Sequence, residues 1–285
     1  MSQCLLDYSS RKKLRILQYG KTGSGKSVRA ASMAKYGPVY IFDFDGKIGS
    51  LSSHFVDKPE VLKNVHYDEY TDKPGTITAC LRVYAKLNEL WAQCEKGECP
   101  YATIVFDSWT SWEQIALQQI MNSNLGFNRM QVNIGGVNEL VPSEVDYRIH
   151  AHTQWMLLPK LTALPLNVFI NCHTIIRQNK LTGAIEHTLA AAGKLAETLP
   201  KYFEEVHRTV ASEEGFRVQV KPSYEFACNT TLKDLPQDGI IENELTKFEP
   251  LIYKLPEEDK KDERSRRPAD SADMETKRQP VSPAE

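Results

Sequence analysis

The sequence lacks an apolar stretch long enough to cross a membrane, and it lacks an excess of charge of one sign. A membrane-spanning helix needs about 20 consecutive apolar residues. At the N-terminus, the charged Asp7 interrupts the sequence before an apolar stretch as long as that of a signal peptide can form. The 285 residues include 35 basic and 37 acidic side chains, so the net charge of −2 excludes the globally basic surface of many nucleic-acid-binding proteins. We therefore expect a cytoplasmic protein without membrane contact, in which any contact with nucleic acid is local.

The chain also lacks the dense cysteine content of a disulfide scaffold, and its cysteines are scattered. Of the six cysteines, only Cys94 and Cys99 lie close together, and no second pair is present to complete a zinc site. With 41% hydrophobic and 25% charged residues, the composition is that of an ordinary globular protein and not of a disulfide scaffold. The cysteines are therefore predicted to be reduced thiols.

Apolar residues almost disappear after residue 255. Residues 256–285 contain 9 acidic and 7 basic side chains, and such a segment cannot bury enough apolar surface to fold. The sequence predicts a folded domain over residues 1–255 and a disordered, charged tail over residues 256–285.

Within the predicted domain, short apolar runs alternate with segments of helical character. The predicted strands are 14–19, 39–44, 102–106 and 167–172. The predicted helices are 26–36, 76–93, 109–121 and 147–161, and residues 122–142 are predicted to be a loop or a lid. This alternation favours an α/β fold with a mainly parallel sheet flanked by helices. Three alternating runs, 205–211, 216–221 and 224–229, predict an antiparallel meander that extends the sheet at the C-terminal end.

A glycine-rich motif stands between the first strand and the first helix. It matches the pattern G-x-x-x-x-G-K-S/T through Gly20, Lys21, Thr22, Gly23, Ser24, Gly25, Lys26 and Ser27. In such a loop the backbone N–H groups surround phosphates, the lysine reaches the β- and γ-phosphates, and the hydroxyl binds Mg²⁺. The motif therefore predicts a nucleoside triphosphate site, with a glycine-rich turn that binds nothing as the alternative.

A triphosphate site also needs a carboxylate near the magnesium ion. Asp107 follows directly on the apolar run 103–106, and we expect it to support the metal. An aspartate between a strand and a helix is also a frequent N-cap residue, and this alternative stays open.

Hydrolysis requires a group that orients or deprotonates the attacking water. Asp43 and Asp45 end the second strand, and Asp45 lies nearer the carboxyl edge of the sheet, where ligands bind in this class of fold. Asp45 is the predicted base; in the alternative, both carboxylates cap the turn at residues 46–49. His173 follows the strand 167–172 and is either a sensor of the γ-phosphate or a hydrogen-bonded structural residue.

Among the motifs, a failed match gives the main indication of which nucleotide base is bound. Residues 179–182 begin like the guanine-reading pattern N-K-x-D, but Thr182 stands where that pattern requires a carboxylate. This argues against GTP, and ATP with Mg²⁺ is the predicted ligand.

Four of these segments together resemble the phage-type AAA_24 family of ATP-binding proteins: residues 20–27, 41–46, 104–108 and 169–174. Residues 193–206 are similar to the region that precedes the last strands of that family, and the likeness extends over about residues 12–255. The resemblance implies a RecA-like core, and the family includes phage single-strand annealing ATPases.

The resemblance also implies an activity and partners. It implies an ATPase that forms a homo-oligomer, a ring or a filament, and acts on single-stranded DNA in phage recombination or replication, in the host cytoplasm. A single-strand-binding protein is a candidate partner. The family pattern assigns phosphate to Lys26, magnesium to Ser27 and Asp107, activation of water to Asp45, and sensing of the γ-phosphate to His173.

The chain departs from RecA-like proteins at one point. Those proteins read Asp-x-Glu where this chain has Asp43-Phe44-Asp45. A base that is shorter by one methylene group predicts hydrolysis that is slow or that depends on a partner.

Two segments follow the elements after which RecA-like proteins place their DNA loops, namely residues 124–141 and 177–187. The candidate DNA contacts are Arg129, Arg148, Arg177 and Lys180 for phosphates, and Phe127 or Trp155 for bases. A lid that closes over the nucleotide explains the first segment nearly as well. Lys194 is either a residue that reaches the nucleotide of a neighbouring subunit or a solvated lysine.

Two functions are therefore expected to compete. The first is a DNA-dependent, oligomeric ATPase. The second is a binding module whose assembly is set by bound ATP and whose intrinsic hydrolysis is incidental. A small-molecule kinase is the weaker third, because an arginine-rich lid is missing after the third helix.

Overall fold

The computed structural model of the chain describes residues 13–73, 76–123, 129–178, 183, 185–213, 215–223, 225–243 and 245–255. The predicted tail, 256–285, and the predicted DNA contacts Phe127 and Lys180 lie outside these residues. No helix in the described ranges has both the length and the hydropathy that a membrane crossing requires.

The described strands are β1 (Arg15–Gly20), β2 (Val39–Asp43), β3 (Val65–Glu69), β4 (Thr103–Asp107), β5 (Gln131–Ile134), β6 (Val137–Leu140), β7 (Asn167–Gln178), β8 (Ile185–Leu189), β9 (Glu205–Ser212), β10 (Gly215–Gln219) and β11 (Ile240–Glu242). Nine of them form one sheet in the order β11-β10-β9-β1-β7-β4-β2-β3, with β8 paired to β7, while β5 and β6 form a separate pair. The strands from β3 to β9 along this order are mutually parallel. The predicted α/β fold with a mainly parallel sheet is confirmed.

The described helices are α1 (Lys26–Ala31), α2 (Gly49–His54), α3 (Pro59–Lys63), α4 (Ala79–Lys96), α5 (Trp109–Asn122), α6 (Glu144–Ala163) and α7 (Leu195–Thr198). Alternation along the strands sends their side chains to two separate apolar cores. Leu17, Phe42 and Phe106 pack with α4, α5 and α6 on one face, whereas Ile16 and Val105 pack with α1 on the other. Helices cover both faces of the sheet, and for this reason the central strands are continuous apolar runs in the sequence.

The predicted antiparallel meander is confirmed only in part. β10 is antiparallel to both β9 and β11, but β9 itself is parallel to β1, because the chain crosses back through α7 before it enters the sheet. The predicted strand at 224–229 is wrong in its described residues. Only isolated bridges form there, His187 with Phe226 and Val206 with Asn229, and the Arg208 guanidinium lies 3.5 Å from the centre of the Phe226 ring. β11 takes the place of the third strand.

The predicted loop at 122–142 contains a hairpin. β5 and β6 pair antiparallel around Gly135 and Gly136, whose φ angles are 63° and 89°. Two consecutive residues with positive φ form the tight turn that suits the twist of a hairpin, and glycine adopts it without strain. The Asn133 side chain accepts a hydrogen bond from the Gly136 N–H at 3.1 Å and fixes this turn.

A buried ion pair anchors this hairpin to α6. The Arg129 guanidinium donates to the Asp146 carboxylate, with Nη2 2.8 Å from Oδ1, and the side chains are 8% and 0% exposed. Asp146 also completes a capping box with Ser143 at the start of α6. The Arg129 guanidinium lowers the pKa of Asp146 to about 2. Arg129 is thus engaged inside the protein and does not fit its predicted role as a contact to DNA phosphates.

Asp146→Asn should lower the free energy of unfolding by about 3 kcal/mol, because it leaves the buried guanidinium of Arg129 without its counter-charge. Urea unfolding followed by circular dichroism measures this. Arg148→Ala, an exposed change on the same helix, is the matched control and should stay within about 0.5 kcal/mol of the wild type. Equal effects of the two variants would contradict the assignment.

A second buried carboxyl group, Glu113 on α5, holds the segment that follows β8. It accepts hydrogen bonds from the Trp109 indole at 2.9 Å and from the Ala192 backbone N–H at 2.8 Å. Burial raises the pKa of Glu113 to about 7, and these two hydrogen bonds only partly oppose the shift. The folded protein therefore holds a proton here at pH values where the unfolded chain has lost it.

Glu113 should make the stability of the protein pH-dependent between its unfolded pKa of 4.5 and its folded pKa of about 7. A raised folded pKa contributes stability that is complete below pH 4.5 and is lost as the pH rises through 7. The free energy of unfolding of the wild type, relative to Glu113→Gln, should fall by about 3 kcal/mol across this window and level off above it. Urea titrations at stepped pH test this, with the exposed Glu144→Gln as the control. A difference that does not change with pH would refute the assignment.

Candidate functional site

A row of polar side chains crosses the middle of the sheet at one level. The register aligns Asp43 of β2, Asp107 of β4, Asn171 of β7, Gln18 of β1 and His207 of β9 as direct neighbours. All of them therefore point to the face that carries α1, just beyond the apolar rows of the core. The parallel strands thus bring groups from five chain segments to one place at the carboxyl edge of the sheet.

The predicted phosphate loop connects β1 to α1. Gly23 and Gly25 have φ angles of 77° and 87°, which side chains rarely adopt. Lys26 is 6% exposed, and its ammonium donates to the carbonyl oxygens of Gly20 and Lys21, both at 2.9 Å. Burial lowers the pKa of Lys26, and the nearby carboxylates oppose the shift. The ammonium group of Lys26 is therefore bound by backbone carbonyl oxygens of the phosphate loop itself.

β9 packs directly on this loop. A Cβ atom on Gly20 would lie 2.5 Å from the carbonyl oxygen of Thr209, so only glycine fits there. The hydroxyls of Ser24 and Thr209 are hydrogen-bonded at 2.7 Å. The glycine that begins the motif is therefore required by the close approach of a neighbouring strand.

Asp107 lies beside Ser27, as its predicted role requires. Burial raises the pKa of Asp107, and the side chains of Ser27 and Asn171 and the charge of Lys26 oppose this. The alternative role as a helix cap is excluded, because the N-cap of α5 is Ser108, whose hydroxyl accepts from the backbone of Ser111. A carboxylate next to a hydroxyl is the set of oxygen donors that suits Mg²⁺.

The two carboxylates at the end of β2 have different surroundings. Asp43 is 3% exposed and accepts hydrogen bonds from the backbone N–H groups of Asp45, Gly46 and Ile48 at 2.9–3.2 Å. It is the residue that caps the turn. Asp45 does not share that role, so the alternative in which both carboxylates cap the turn is wrong for Asp45.

Asp45 instead faces the start of α5 and the middle of β7. Its carboxylate accepts from the hydroxyls of Ser111 and Ser108, and its Oδ2 lies 3.6 Å from Nε2 of His173. Burial acts to raise the pKa of Asp45, but the interaction with His173 and the hydrogen bond from Ser111 outweigh it, and the pKa falls below the ordinary value. Asp45 is therefore an ionised carboxylate at neutral pH.

These groups line a cavity of about 610 Å³, a volume typical of small-molecule sites. It brings together the predicted residues Asp45, Asp107 and His173 with residues 22–27 of the loop. Gly20 and Lys21 do not line the cavity, but their carbonyl oxygens accept from Lys26. Sequence reasoning missed Lys47, His54 and Phe216 in the lining, and Ser108 and Ser111 beside Asp45. The spacing of Ser108 and Ser111, one helical turn apart after the strand, was the available signal for the serines.

Gln18 connects the loop to the central strands. Its amide nitrogen donates to the Lys26 carbonyl at 2.7 Å and to Asn171 Oδ1 at 2.5 Å. Its amide oxygen accepts from the guanidinium of Arg29 at 3.1 Å. The first turn of α1 is therefore fixed relative to both β1 and β7.

A buried chain of hydrogen bonds continues from Arg29 to two residues of β9. Nη1 of Arg29 lies 3.1 Å from Nδ1 of His207, and Nε2 of His207 lies 2.9 Å from Oε2 of Glu205. The other carboxylate oxygen, Oε1, accepts from the Thr231 N–H. Burial lowers the pKa of His207 to about 4, and Glu205 only partly opposes this. A neutral imidazole accepts at Nδ1 from Arg29 and donates at Nε2 to Glu205. The His207 ring therefore links the guanidinium of Arg29 to the carboxylate of Glu205.

This cavity contains neither the described residues that were predicted to contact DNA nor Lys194, which was predicted to reach the nucleotide of a neighbouring subunit or to be a solvated lysine. Arg177 is exposed on β7, Arg148 and Trp155 are exposed on α6, and Lys194 is exposed at the start of α7. None of these four lines the cavity of the phosphate loop. They belong to other surfaces. Residues 129–141, the described part of the predicted lid, do not line this cavity either.

Comparison with curated proteins gave no match. Among solved structures, an ATPase from the type III secretion system of pathogenic bacteria is similar, with 13% sequence identity and a TM-score of 0.42 over 70% of this chain and 52% of that chain. This chain thus spans about half the length of that ATPase.

The comparison with family models is more extensive. The model of the AAA_24 family, described as an AAA domain, matches residues 12–234, which include every strand from β1 to β10. The match contains the phosphate loop, Asp45, Asp107 and His173, and so covers the whole candidate site. The chain therefore belongs to the AAA_24 family of P-loop ATPases.

Proposed function

We propose that the protein binds ATP with Mg²⁺, hydrolyses it, and uses the cycle to act on single-stranded DNA in phage recombination, annealing or replication. The observation that carries the proposal is the position of Asp45. It is an ionised carboxylate in the same cavity as Lys26, and two serine hydroxyls and His173 orient it. A phosphate loop that only held a nucleotide would need no such group.

Mg²⁺ fits two further residues that line the cavity. Ser27 and Asp107 supply a hydroxyl and a carboxylate side by side, and these two residues would hold the ion. When bound, Mg²⁺ neutralises charge on the β- and γ-phosphates.

Three residues of the chain have separate roles in the proposed hydrolysis. The Lys26 ammonium can exchange the loop carbonyls for phosphate oxygens, because those carbonyls are its partners within the loop itself. Asp45 orients a water molecule and accepts its proton. Nε2 of His173 lies 3.6 Å from Oδ2 of Asp45. In its predicted role as a sensor, His173 contacts the γ-phosphate and thereby influences Asp45.

The second candidate, a binding module set by ATP with little hydrolysis, is favoured by the same carboxylate. Asp45 is shorter than the glutamate of RecA-like proteins, and Ser108, Ser111 and His173 already occupy its oxygens. A base held in this way loses part of its basicity, because each hydrogen bond stabilises its ionised form.

Asp45→Asn separates the two candidates. If hydrolysis is the function, the variant should lower kcat for ATP by about 10²- to 10⁴-fold while ATP still binds, since only the base is removed. Steady-state phosphate release and equilibrium ATP binding measure the two effects. Lys26→Ala should abolish both.

Glu69→Gln is the matched control, because it neutralises an exposed carboxylate at the same sheet edge, one strand away in register with Asp43. It should leave both quantities unchanged. If Asp45→Asn hydrolyses ATP like the wild type, Asp45 is not the base. If the variant loses hydrolysis but retains full DNA-linked function, the binding module replaces the hydrolase.

Single-stranded DNA and a second copy of the chain are the proposed partners, and a single-strand-binding protein is a further candidate. The family resemblance supports this, together with the exposed Arg177 on the β7–β8 hairpin. A chain of net charge −2 needs local cations for such contacts. Arg148 and Trp155, exposed along α6, provide a cation and an aromatic ring on another surface.

Arg177→Ala should weaken the binding of an oligo-dT probe and reduce the slope of log affinity against log salt by about one, because one phosphate contact is lost. Fluorescence anisotropy over a series of salt concentrations measures both. Lys96→Ala, an exposed cation at the end of α4 and at the opposite edge of the sheet, should change neither. An unaltered slope in Arg177→Ala would remove this hairpin from the DNA surface.

A further inference from the structure

A second cavity adjoins the cavity of the phosphate loop. It has a volume of about 350 Å³ and shares Val28, His54 and Phe216 with the first cavity. Because three residues line both, the two spaces adjoin along α1. A ligand whose phosphates lie in the loop can extend towards this second space.

Phe216 stands at the junction of the two cavities. It is the second residue of β10, and because β10 runs antiparallel to β9, the beginning of β10 lies at the carboxyl edge of the sheet. Its side chain is 47% exposed. A Cβ atom on Gly25 of the phosphate loop would lie 3.1 Å from Cδ1 of Phe216. The ring therefore rests against the loop and presents its free surface to the cavities.

Asn243 supplies a polar group at the same junction. A Cβ atom on Gly25 would lie 3.1 Å from its Nδ2, so the amide also touches the loop. Its Oδ1 is buried, and among the described residues no donor reaches it. A buried acceptor without a donor is costly, so a ligand gains affinity when the amide of Asn243, which lines the second cavity, turns to present Oδ1 to an N–H group of that ligand.

We propose that the second cavity holds the nucleoside half of the bound nucleotide, that its base stacks on Phe216, and that Asn243 Oδ1 accepts from the 6-amino group of adenine. Guanine has an oxygen at that position and leaves the acceptor unsatisfied, so Asn243 is a specificity-determining residue for ATP over GTP. The inference rests on the proposed triphosphate site, but it assigns a separate part of the ligand to separate residues.

The two halves of the ligand can be measured apart. Inorganic tripolyphosphate occupies only the phosphate loop, whereas ATP and GTP occupy both cavities. Calorimetric titration of the full chain with each of the three probes in Mg²⁺ gives the contribution of each cavity. Phe216→Ala should weaken ATP roughly 5- to 150-fold more than it weakens tripolyphosphate, the range for loss of base stacking. Phe216→Trp should restore ATP binding.

Asn243→Ala should reduce the preference for ATP over GTP, since the acceptor that distinguishes the bases is gone. Ile240→Ala is the matched control for both variants, because Ile240 is 40% exposed on the neighbouring strand β11 and lines neither cavity. It should leave all three affinities unchanged.

Three results would overturn the assignment. If Phe216→Ala binds ATP like the wild type, or loses ATP and tripolyphosphate equally, the base does not stack on Phe216. If Asn243→Ala keeps the wild-type ratio of ATP to GTP affinity, Asn243 does not read the base. If the wild type binds neither ATP nor tripolyphosphate, the proposed nucleotide function itself is wrong, and a wild type that binds both confines any failure to the second cavity.

Discussion

The need to satisfy buried polar groups sets the register of the sheet. Gln18, Asn171 and His207 are fully buried and lie in one row with Asp43 and Asp107. A shift of one residue in any of these strands would turn its polar member to the opposite face, into the aromatic core. There it would lose its partners, and an unpaired buried amide or charge is unfavourable by several kcal/mol. The row therefore selects one alignment, and that alignment assembles the site.

Sequence patterns predict the parts of the site that follow directly on a strand. Lys26, Asp45 and Asp107 are accessible to such reasoning because strand, loop and charge are adjacent in the chain. The parallel direction of β9 is not, because it depends on where the crossover through α7 returns the chain to the sheet. The hairpin at β5 and β6 was hidden by a composition of asparagine and glycine, which suits a tight turn as well as a loop.

The sequence also does not predict which groups surround Asp45. Ser111 and His173 come from α5 and β7, more than 60 residues away from it in the chain. The spacing of residues in a sequence shows which groups can perform a reaction, but only the packed sheet shows which of them modify each other. The carboxylate that the pattern singled out is consequently less basic than its type alone suggests, which is why turnover and binding compete as functions.

The buried chain from Gln18 through Arg29 and His207 to Glu205 also has a mechanical meaning. It joins the helix of the phosphate loop to β9 by direct contacts between buried side chains, and β9 in turn carries β10 and β11. A partner that binds the outer antiparallel strands therefore acts on elements that are hydrogen-bonded, strand by strand and side chain by side chain, to the helix of the phosphate loop.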